Sequence, residues 1–182
     1  MDDNSDGVIE RPKACNAGRA AIERLASDFA EAVKLEPGDQ LDSLVKSLGG
    51  EIVYLGYDDA SKHDKESIKI EADGSFVIYL PPYTNEERDR FTIAHELGHL
   101  FLHFPIRNDT ALSMAANRLG STIEEWEANW FAAELLMPEK DFRSIFDAHS
   151  GCITNIAEYF RVSAKAAEIR AENLGLNNIV AT

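Results

Sequence analysis

The segment "FTIAHELGHLFLHF" (residues 91–104) decides which fold and which chemistry the rest of the chain has to support. It places His95 and His99 four residues apart, with Glu96 directly after the first histidine, inside an otherwise apolar run. Residues i and i+4 of an α-helix lie on one face, about 6 Å apart along the axis. A helix here therefore points two imidazoles at one metal ion and puts Glu96 beside it as a candidate general base, the HExxH arrangement.

Gly98 lies in the middle of this predicted helix. Glycine in a helix interior costs roughly 1 kcal/mol relative to alanine. A neighbouring helix or a substrate strand that passes close to the backbone requires a position without a side chain. We therefore expect a close approach at Gly98, which favours a functional helix over a core helix that happens to contain histidines.

His103 follows on the same segment but cannot complete the metal site. It lies eight residues from His95, a rise of about 12 Å along a helix. A catalytic zinc ion takes three protein ligands and leaves its fourth position to water. The third ligand must therefore come from another part of the chain, and His103 is expected to pack nearby or to orient a ligand.

The segment "EEWEANWFAAELL" (residues 124–136) is the candidate source of that ligand. Glu125 and Asn129 stand at i and i+4 of a predicted helix, and the alanines that follow allow it to approach the histidine helix closely. Glu125 can supply an oxygen ligand, while Asn129 can hold a ligand imidazole in one tautomer. Glu127 stays open as the alternative ligand.

Alternating apolar residues on both sides of Asp73–Gly74 predict a β-hairpin before the histidine helix. With "EIVYLGY" (residues 51–57) they indicate a small antiparallel sheet of about three strands. Thr84 and Glu87 form a capping-box pattern, so the histidine helix is expected to run from about residue 85 to 104. The predicted fold class is α+β, mostly helical, with the sheet beside the HExxH helix.

Length and composition indicate one main folded unit with smaller parts attached. The chain has 182 residues, of which 45% are hydrophobic, enough for a substantial core. We expect a flexible acidic N-terminus over residues 1–15, a main domain with the metal site over 16–150, and a helical C-terminal subdomain over 151–182. Residues 106–120 lack a clean period and are expected to form a loop with some helix.

The charge balance argues against general binding to nucleic acid or to anionic membranes. Eighteen basic and 32 acidic residues give a formal net charge of −14. The segment "ITNIAEYFRVSAKAAEIRAENL" (residues 153–174) resembles a helix-turn-helix, but its basic residues are matched by acidic ones, so direct DNA binding is not expected and nucleic acid remains only a candidate activating signal. No apolar run is long enough to span a bilayer and the acidic start is not a secretory signal, so we expect a cytoplasmic protein without a membrane partner.

Cys15 and Cys152 are the only cysteines. Two distant cysteines form neither a disulfide framework nor a CxxC metal site. We expect free thiols, with a regulatory thiol that approaches a metal as the alternative.

The motif "HELGHLFLH" (residues 95–103), followed by "EWEANWFAAELLMP" (residues 125–138), resembles the ImmA/IrrE metallopeptidases. The resemblance extends over roughly residues 40–175. It implies a zincin-like core with a helical C-terminal part, and hence that the main domain is a metallopeptidase domain with Zn²⁺ as its cofactor.

Carried over position by position, the resemblance implies roles for four residues of this chain. His95 and His99 correspond to metal ligands, and Glu96 corresponds to the catalytic base. The glutamate four residues before Asn129, which is Glu125, corresponds to the third ligand. No departure from the family pattern occurs at these positions.

The resemblance also implies a substrate. Members typically cleave a helix-turn-helix repressor protein and so switch on stress, mobile-element or defence genes, which makes a repressor the expected protein partner. Tyr79, Tyr83 and His103 are candidates for stabilising the oxyanion during such a cleavage. The alternative interpretation is a binding or sensing module whose metal site is structural and which acts through protein or DNA contacts.

Overall fold

The structure is a computed structural model that describes the following residues: 12–56, 66–71, 73–82, 84–104, 114–117, 122–177 and 179. Within these ranges the chain forms seven α-helices and four β-strands. In chain order they are α1 (Arg19–Val33), α2 (Asp42–Ser47), β1 (Gly50–Tyr54), β2 (Glu66–Ile70), β3 (Phe76–Leu80), α3 (Glu86–His103), β4 (Met114–Asn117), α4 (Ile123–Leu136), α5 (Glu139–Ala148), α6 (Ile153–Phe160) and α7 (Ala164–Asn173). The predicted α+β class is confirmed.

The sheet differs from the predicted one in strand number and direction. It has four strands in the order β1-β3-β2-β4, and β1 pairs with β3 in parallel. Only the hairpin of β2 and β3 around Asp73–Gly74 and the pairing of β2 with β4 are antiparallel. The expected small sheet is present, but it is mixed and has four strands, because β1 joins it in parallel and β4 adds a fourth strand.

Two physical reasons account for the difference. A parallel pair needs a crossover of a dozen or more residues, and residues 55–75, which include β2, supply it between β1 and β3. The fourth strand, β4, has the sequence "MAAN". It lies within residues 106–120, where a strand of this length without apolar alternation has no recognisable period.

Helix α3, which carries the HExxH motif, has its N-cap one residue after the predicted cap Thr84. Asn85 is the N-cap, and its side chain accepts a hydrogen bond from the backbone N–H of Arg88 at 2.9 Å. Thr84 instead donates its hydroxyl to Asp89. Acidic residues in the first turn, among them Glu86, stabilise the positive end of the helix dipole. The helix ends at His103, close to the predicted boundary.

Helices α3 and α4 cross at Gly98. A Cβ atom added to Gly98 would lie 3.0 Å from the Cα and the carbonyl oxygen of Ala128, and 3.3 Å from the Cβ of Phe131. Ala128 has 0% of its surface exposed. The expected close approach at Gly98 is thus the approach of a neighbouring helix, and it brings the side chains of α3 and α4 within reach of each other.

The buried apolar residues form one connected core that runs from the sheet to the C-terminal helices. Phe131 of α4, Phe142 of α5 and Phe160 of α6 each have 0% of their surface exposed. The division of the chain into residues 1–15, 16–150 and 151–182 stays a prediction.

No helix in the described part of the chain is long and apolar enough to cross a membrane.

Candidate metal centre

Helices α3 and α4 bring His95, His99 and Glu125 together at one point. The Nε2 atoms of His95 and His99 are 3.1 Å apart. The carboxylate of Glu125 reaches both rings, with Oε2 at 3.2 Å from His95 Nε2 and Oε1 at 3.2 Å from His99 Nε2. Two imidazoles and one carboxylate facing a common point are a donor set that fits a zinc ion.

The pKa values of His95 and Glu125 are shifted by the contacts among His95, His99 and Glu125. Burial raises the pKa of Glu125, but its contacts with the rings of His95 and His99 outweigh burial and lower its pKa to about 2. Burial lowers the pKa of His95, whereas its contacts with Glu125 and the charge of Glu96 raise it, and the pKa ends above the ordinary value. Glu125 is therefore an anion across the usual pH range, as a metal ligand must be.

Glu96 lies beside the trio but does not belong to it. Its side chain is buried, with 2% of the residue exposed. Burial raises the pKa of Glu96, while the charges of His95 and His99 and a hydrogen bond from Ser67 of β2 act in the opposite direction. Its Oε2 atom has no hydrogen-bond partner among the described residues. A carboxylate held in this way has a free oxygen with which to take up a proton.

Asn129 lies one helical turn after Glu125 and contacts the first histidine. Its Oδ1 atom is 3.0 Å from Nδ1 of His95. An amide oxygen only accepts hydrogen bonds, so Nδ1 of His95 is the protonated ring nitrogen. That tautomer leaves the lone pair of His95 Nε2 directed at the centre.

His103 lies behind His99, on the side away from the centre. Its Nδ1 atom is 2.9 Å from Nδ1 of His99, and its Nε2 atom is 2.8 Å from Oε2 of Glu127. A consistent proton arrangement has His99 Nδ1–H donating to His103 and His103 Nε2–H donating to Glu127. The lone pair of His99 Nε2 then faces the centre, as that of His95 does.

The two alternatives for the third ligand therefore have different surroundings. Glu125 faces His95 and His99, whereas Glu127 faces His103. The physical reason is the helix period, because residues two positions apart point about 200° apart around the axis. Sequence reasoning identified His103 as a candidate for orienting a ligand, but it did not identify Glu127 as its partner.

The segment before α1 reaches the same end of α4. The backbone N–H of Cys15 donates to Oε2 of Glu127 at 3.0 Å, and that of Ala14 donates to Oε1 of Glu124 at 3.1 Å. Burial raises the pKa of the Cys15 thiol, and a hydrogen bond with Glu127 adds to the shift. Nothing in the local sequence indicated this contact. Of the predicted N-terminal segment, residues 1–11 lie outside the described part of the chain.

The structure locates two of the three candidates for stabilising the oxyanion. Tyr79 lies partly buried on β3, and Tyr83 lies outside the described residues. His103 is turned to the Nδ1 side of His99, whereas the centre lies on its Nε2 side. His103 is thus placed to orient His99 and not to contact a reacting carbonyl.

Comparisons with known proteins agree with this geometry. Residues 49–172 match the model of a peptidase family described as the IrrE N-terminal-like domain. Over 173 residues the chain is 28% identical to the radiation response metalloprotease IrrE of Deinococcus radiodurans, covering 91% of this chain and 47% of that protein. Over 115 residues it is 29% identical to the metallopeptidase ImmA of Bacillus subtilis (strain 168), covering 63% of this chain and 62% of that protein.

The chain therefore spans about half the length of IrrE and under two thirds of ImmA. The family match includes all of α3 and α4, and with them every residue of the candidate centre. Ala14 and Cys15 lie outside it.

Proposed function

Because this chain belongs to the ImmA/IrrE family of metallopeptidases, we propose that it is a zinc-dependent endopeptidase. The observation that carries the proposal is the convergence of His95, His99 and Glu125, with the buried carboxylate of Glu96 beside them. The zincin-like fold provides the frame, since it sets the two helices against each other. When bound, zinc supplies a Lewis acid that polarises a peptide carbonyl and makes water acidic enough to act as a nucleophile near neutral pH.

In this proposal Glu96 is the catalytic base. It takes a proton from the attacking water on its carboxylate and then delivers that proton to the amine that leaves the cleaved bond. Ser67 fixes the carboxylate by a hydrogen bond. The burial of Glu96 excludes bulk water, so the proton stays at the site between the two steps.

Two further contacts orient the ligands. Asn129 holds His95 in the tautomer with its proton on Nδ1, and the pair His103 and Glu127 does the same for His99. Such contacts fix the ring orientation and raise the basicity of the ligating nitrogen. Neither Asn129 nor His103 needs to touch the substrate for this role.

We propose a protein substrate that enters as an extended segment. Strand β4 is an edge of the sheet and pairs with β2, the strand that carries Ser67 beside Glu96. An extended peptide can add to such an edge through backbone hydrogen bonds. The family resemblance makes a linker of a helix-turn-helix repressor the expected segment, with derepression of stress, mobile-element or defence genes as the outcome and the cytoplasm as the place.

Direct DNA binding by residues 153–174 is not part of the proposal. Of the basic residues in that segment, Arg170 has 1% of its surface exposed and is paired with Glu134. Arg161 is paired with Glu86, and Lys165 with the neighbouring Glu168. Each of these cations has an acidic partner, which supports leaving direct DNA binding out of the proposal.

The central test compares the wild-type protein with Glu96→Gln. Purified protein is incubated with candidate repressors from its own gene neighbourhood, and its zinc content is measured in parallel. We expect Glu96→Gln to retain zinc and to lose cleavage, because the amide cannot accept the proton. Glu87→Gln, an exposed change on the same helix, is the matched control and should cleave normally.

Three results would contradict the proposal. A Glu96→Gln protein that still cleaves would remove Glu96 from the mechanism. A wild-type protein that holds zinc but cleaves no repressor and no other protein would favour the binding or sensing module. Rapid, metal-dependent digestion of unrelated proteins such as casein would leave a general peptidase in place of a regulatory one.

A second experiment tests the third ligand. Glu125→Gln should weaken zinc binding strongly, since it removes an anionic donor from the centre, and Glu124→Gln should not. Glu124 is a suitable control because it is the adjacent residue and contacts Ala14 rather than a histidine. Equal zinc affinity in both variants would exclude Glu125 as a ligand.

A further inference from the structure

We propose that Cys15, His103 and Glu127 form a second metal site next to the catalytic one. Their candidate ligand atoms lie within 4.8 Å of one another, as do those of His95, His99 and Glu125. The three residues come from different parts of the fold, which are the segment before α1, the end of α3 and the first half of α4. Such a cluster is not the by-product of one helix face.

Glu127 provides an observation that is independent of the cysteine. Only 1% of this residue is exposed. Its Oε2 atom receives the backbone N–H of Cys15 and the ring of His103, whereas Oε1 has no hydrogen-bond partner among the described residues. A buried carboxylate oxygen without a partner is costly, and a cation at the cluster would satisfy it.

The donor set selects the class of metal. A thiolate sulfur, an imidazole nitrogen and a carboxylate oxygen suit zinc or cobalt, whereas calcium and magnesium take oxygen ligands. Cys15 is exposed, so a metal can reach it from solvent. Binding releases the thiol proton of Cys15 to solvent and requires that Nε2 of His103 carry no proton.

One hydrogen bond connects the two sites, and because of it metal binding at one site disfavours metal binding at the other. His99 and His103 face each other through their Nδ1 atoms at 2.9 Å. With only the catalytic site loaded, His99 Nδ1–H donates to His103, and His103 Nε2–H donates to Glu127. When a metal also binds His103 through Nε2, the proton on that nitrogen is lost. With both sites loaded, the rings of His99 and His103 then have one proton between them.

A neutral imidazole that binds a metal through Nε2 needs a proton on Nδ1, so two such rings need two protons. The space between His99 and His103 holds one. Loading both sites is therefore unfavourable relative to loading either alone, and the coupling is reciprocal. Metal in excess would lower the affinity of the catalytic site. This coupling rests on the proposed function of His99, whereas the second site itself does not.

The test titrates metal-free protein with Co²⁺ and follows absorption in the near ultraviolet, where cobalt bound to a thiolate has a charge-transfer band. We expect the band in the wild type and in Cys152→Ser, the matched change at the other cysteine. Cys15→Ser should lack the band and bind one equivalent of cobalt fewer. A band that persists in Cys15→Ser, or that is absent from the wild type, would overturn the second site.

The coupling is tested with His95→Ala, which removes a ligand of the catalytic site and leaves the cluster intact. The thiolate band should persist in this variant and reach half-saturation at a Co²⁺ concentration roughly fivefold lower or more. Half-saturation at the wild-type concentration or above would overturn the coupling. A thiolate band in a wild-type protein that binds no other cobalt would sink the proposed peptidase site and leave the second site standing.

Discussion

Helix α4 carries buried carboxylates near both of its ends, and the partners of these carboxylates differ between the two ends. Near its C-terminal end, Glu134 accepts a hydrogen bond from Ser27 at 2.7 Å and is paired with Arg170. Arg170 also donates to Glu23 at 3.0 Å and to the carbonyl oxygen of Met137 at 3.1 Å. At this end of α4 the buried carboxylate of Glu134 is neutralised by Arg170 and accepts a hydrogen bond from Ser27, so its partners are all residues of the protein.

Near its N-terminal end, two carboxylates of α4 contact histidines and no arginine among the described residues. Glu125 faces His95 and His99, and Glu127 faces His103. One oxygen of Glu127, and one of Glu96 on α3, have no hydrogen-bond partner in the described part of the chain. These side chains are arranged for a cation that the protein does not itself provide.

The two ends of α4 show how an ion network that stabilises the fold differs from a binding site, although both lie on one helix. A network that holds the fold is neutralised and hydrogen-bonded by its own residues, and removing a member leaves a buried charge behind. A site keeps titratable groups whose pKa values are shifted and leaves oxygens free.

The largest effect is expected at the structural end. Arg170→Met should lower the free energy of unfolding by about 3–5 kcal/mol, because Glu134 would stay buried without its partner. Its zinc content should not change. Urea unfolding measures the loss, and Lys165→Met is the control because that side chain is 71% exposed. A loss below about 1 kcal/mol would show that the Arg170 network does not hold the fold.

The next effect is expected at the metal end. In metal at 100 times the Kd of the catalytic site, with Cys15→Ser in every variant to remove the second site, the otherwise wild-type protein should gain about 2.7 kcal/mol of stability, and His99→Ala should gain none. His149→Ala, at the end of α5, should gain as much as the wild type. Unfolding with and without metal gives the difference. A similar gain in His99→Ala would place the stabilising metal elsewhere.

A smaller loss of stability is expected where α3 crosses α4. Gly98→Ala puts a Cβ atom 3.0 Å from the backbone of Ala128, and overpacking of this kind costs about 1–3 kcal/mol. The change should also weaken metal binding, because it separates the helices that hold His95 and Glu125. Gly18→Ala meets no atom within 4 Å and is the control for the added methyl group. Unchanged stability in Gly98→Ala would show that the helices can separate freely.

The smallest effect is expected at Asn129. Asn129→Ala should weaken zinc binding about tenfold, at the lower end of what loss of a hydrogen bond to a ligand costs. The fold should be unaffected, since Asn129 is exposed. Competition with a chelator measures the affinity, and Asn155→Ala on α6 is the control. An affinity equal to that of the wild type would mean that His95 keeps its tautomer without Asn129.

The sequence predicted those features that depend on neighbours along the chain. The class of fold, the hairpin at Asp73–Gly74 and the extent of α3 follow from local periodicity and turn chemistry. The spacing of His95 and His99 is a property of one helix, so the pair is found together in the structure. Gly98 indicated a close neighbour before that neighbour was identified.

The features that escaped prediction depend on contacts between distant parts of the chain. The parallel pairing of β1 with β3 is fixed by tertiary structure and leaves no local pattern. The same holds for the hydrogen bond between Cys15 and Glu127, which joins residues 112 positions apart. Glu127 and Glu134 both read as parts of an acidic helix, and only their partners reveal that one faces a histidine and the other an arginine.

The hydrogen bond from the backbone of Cys15 to Glu127 also bears on how far this chain can be shortened and still fold. Residues 49–172 match the family model, yet Cys15 and Glu23 lie before them and contact α4 and α7. A fragment trimmed to the matched residues would lose a donor to Glu127 and a carboxylate partner of Arg170. The start of the family model therefore falls inside a set of residues that pack on one another, and limited proteolysis should release no stable fragment that begins at residue 49.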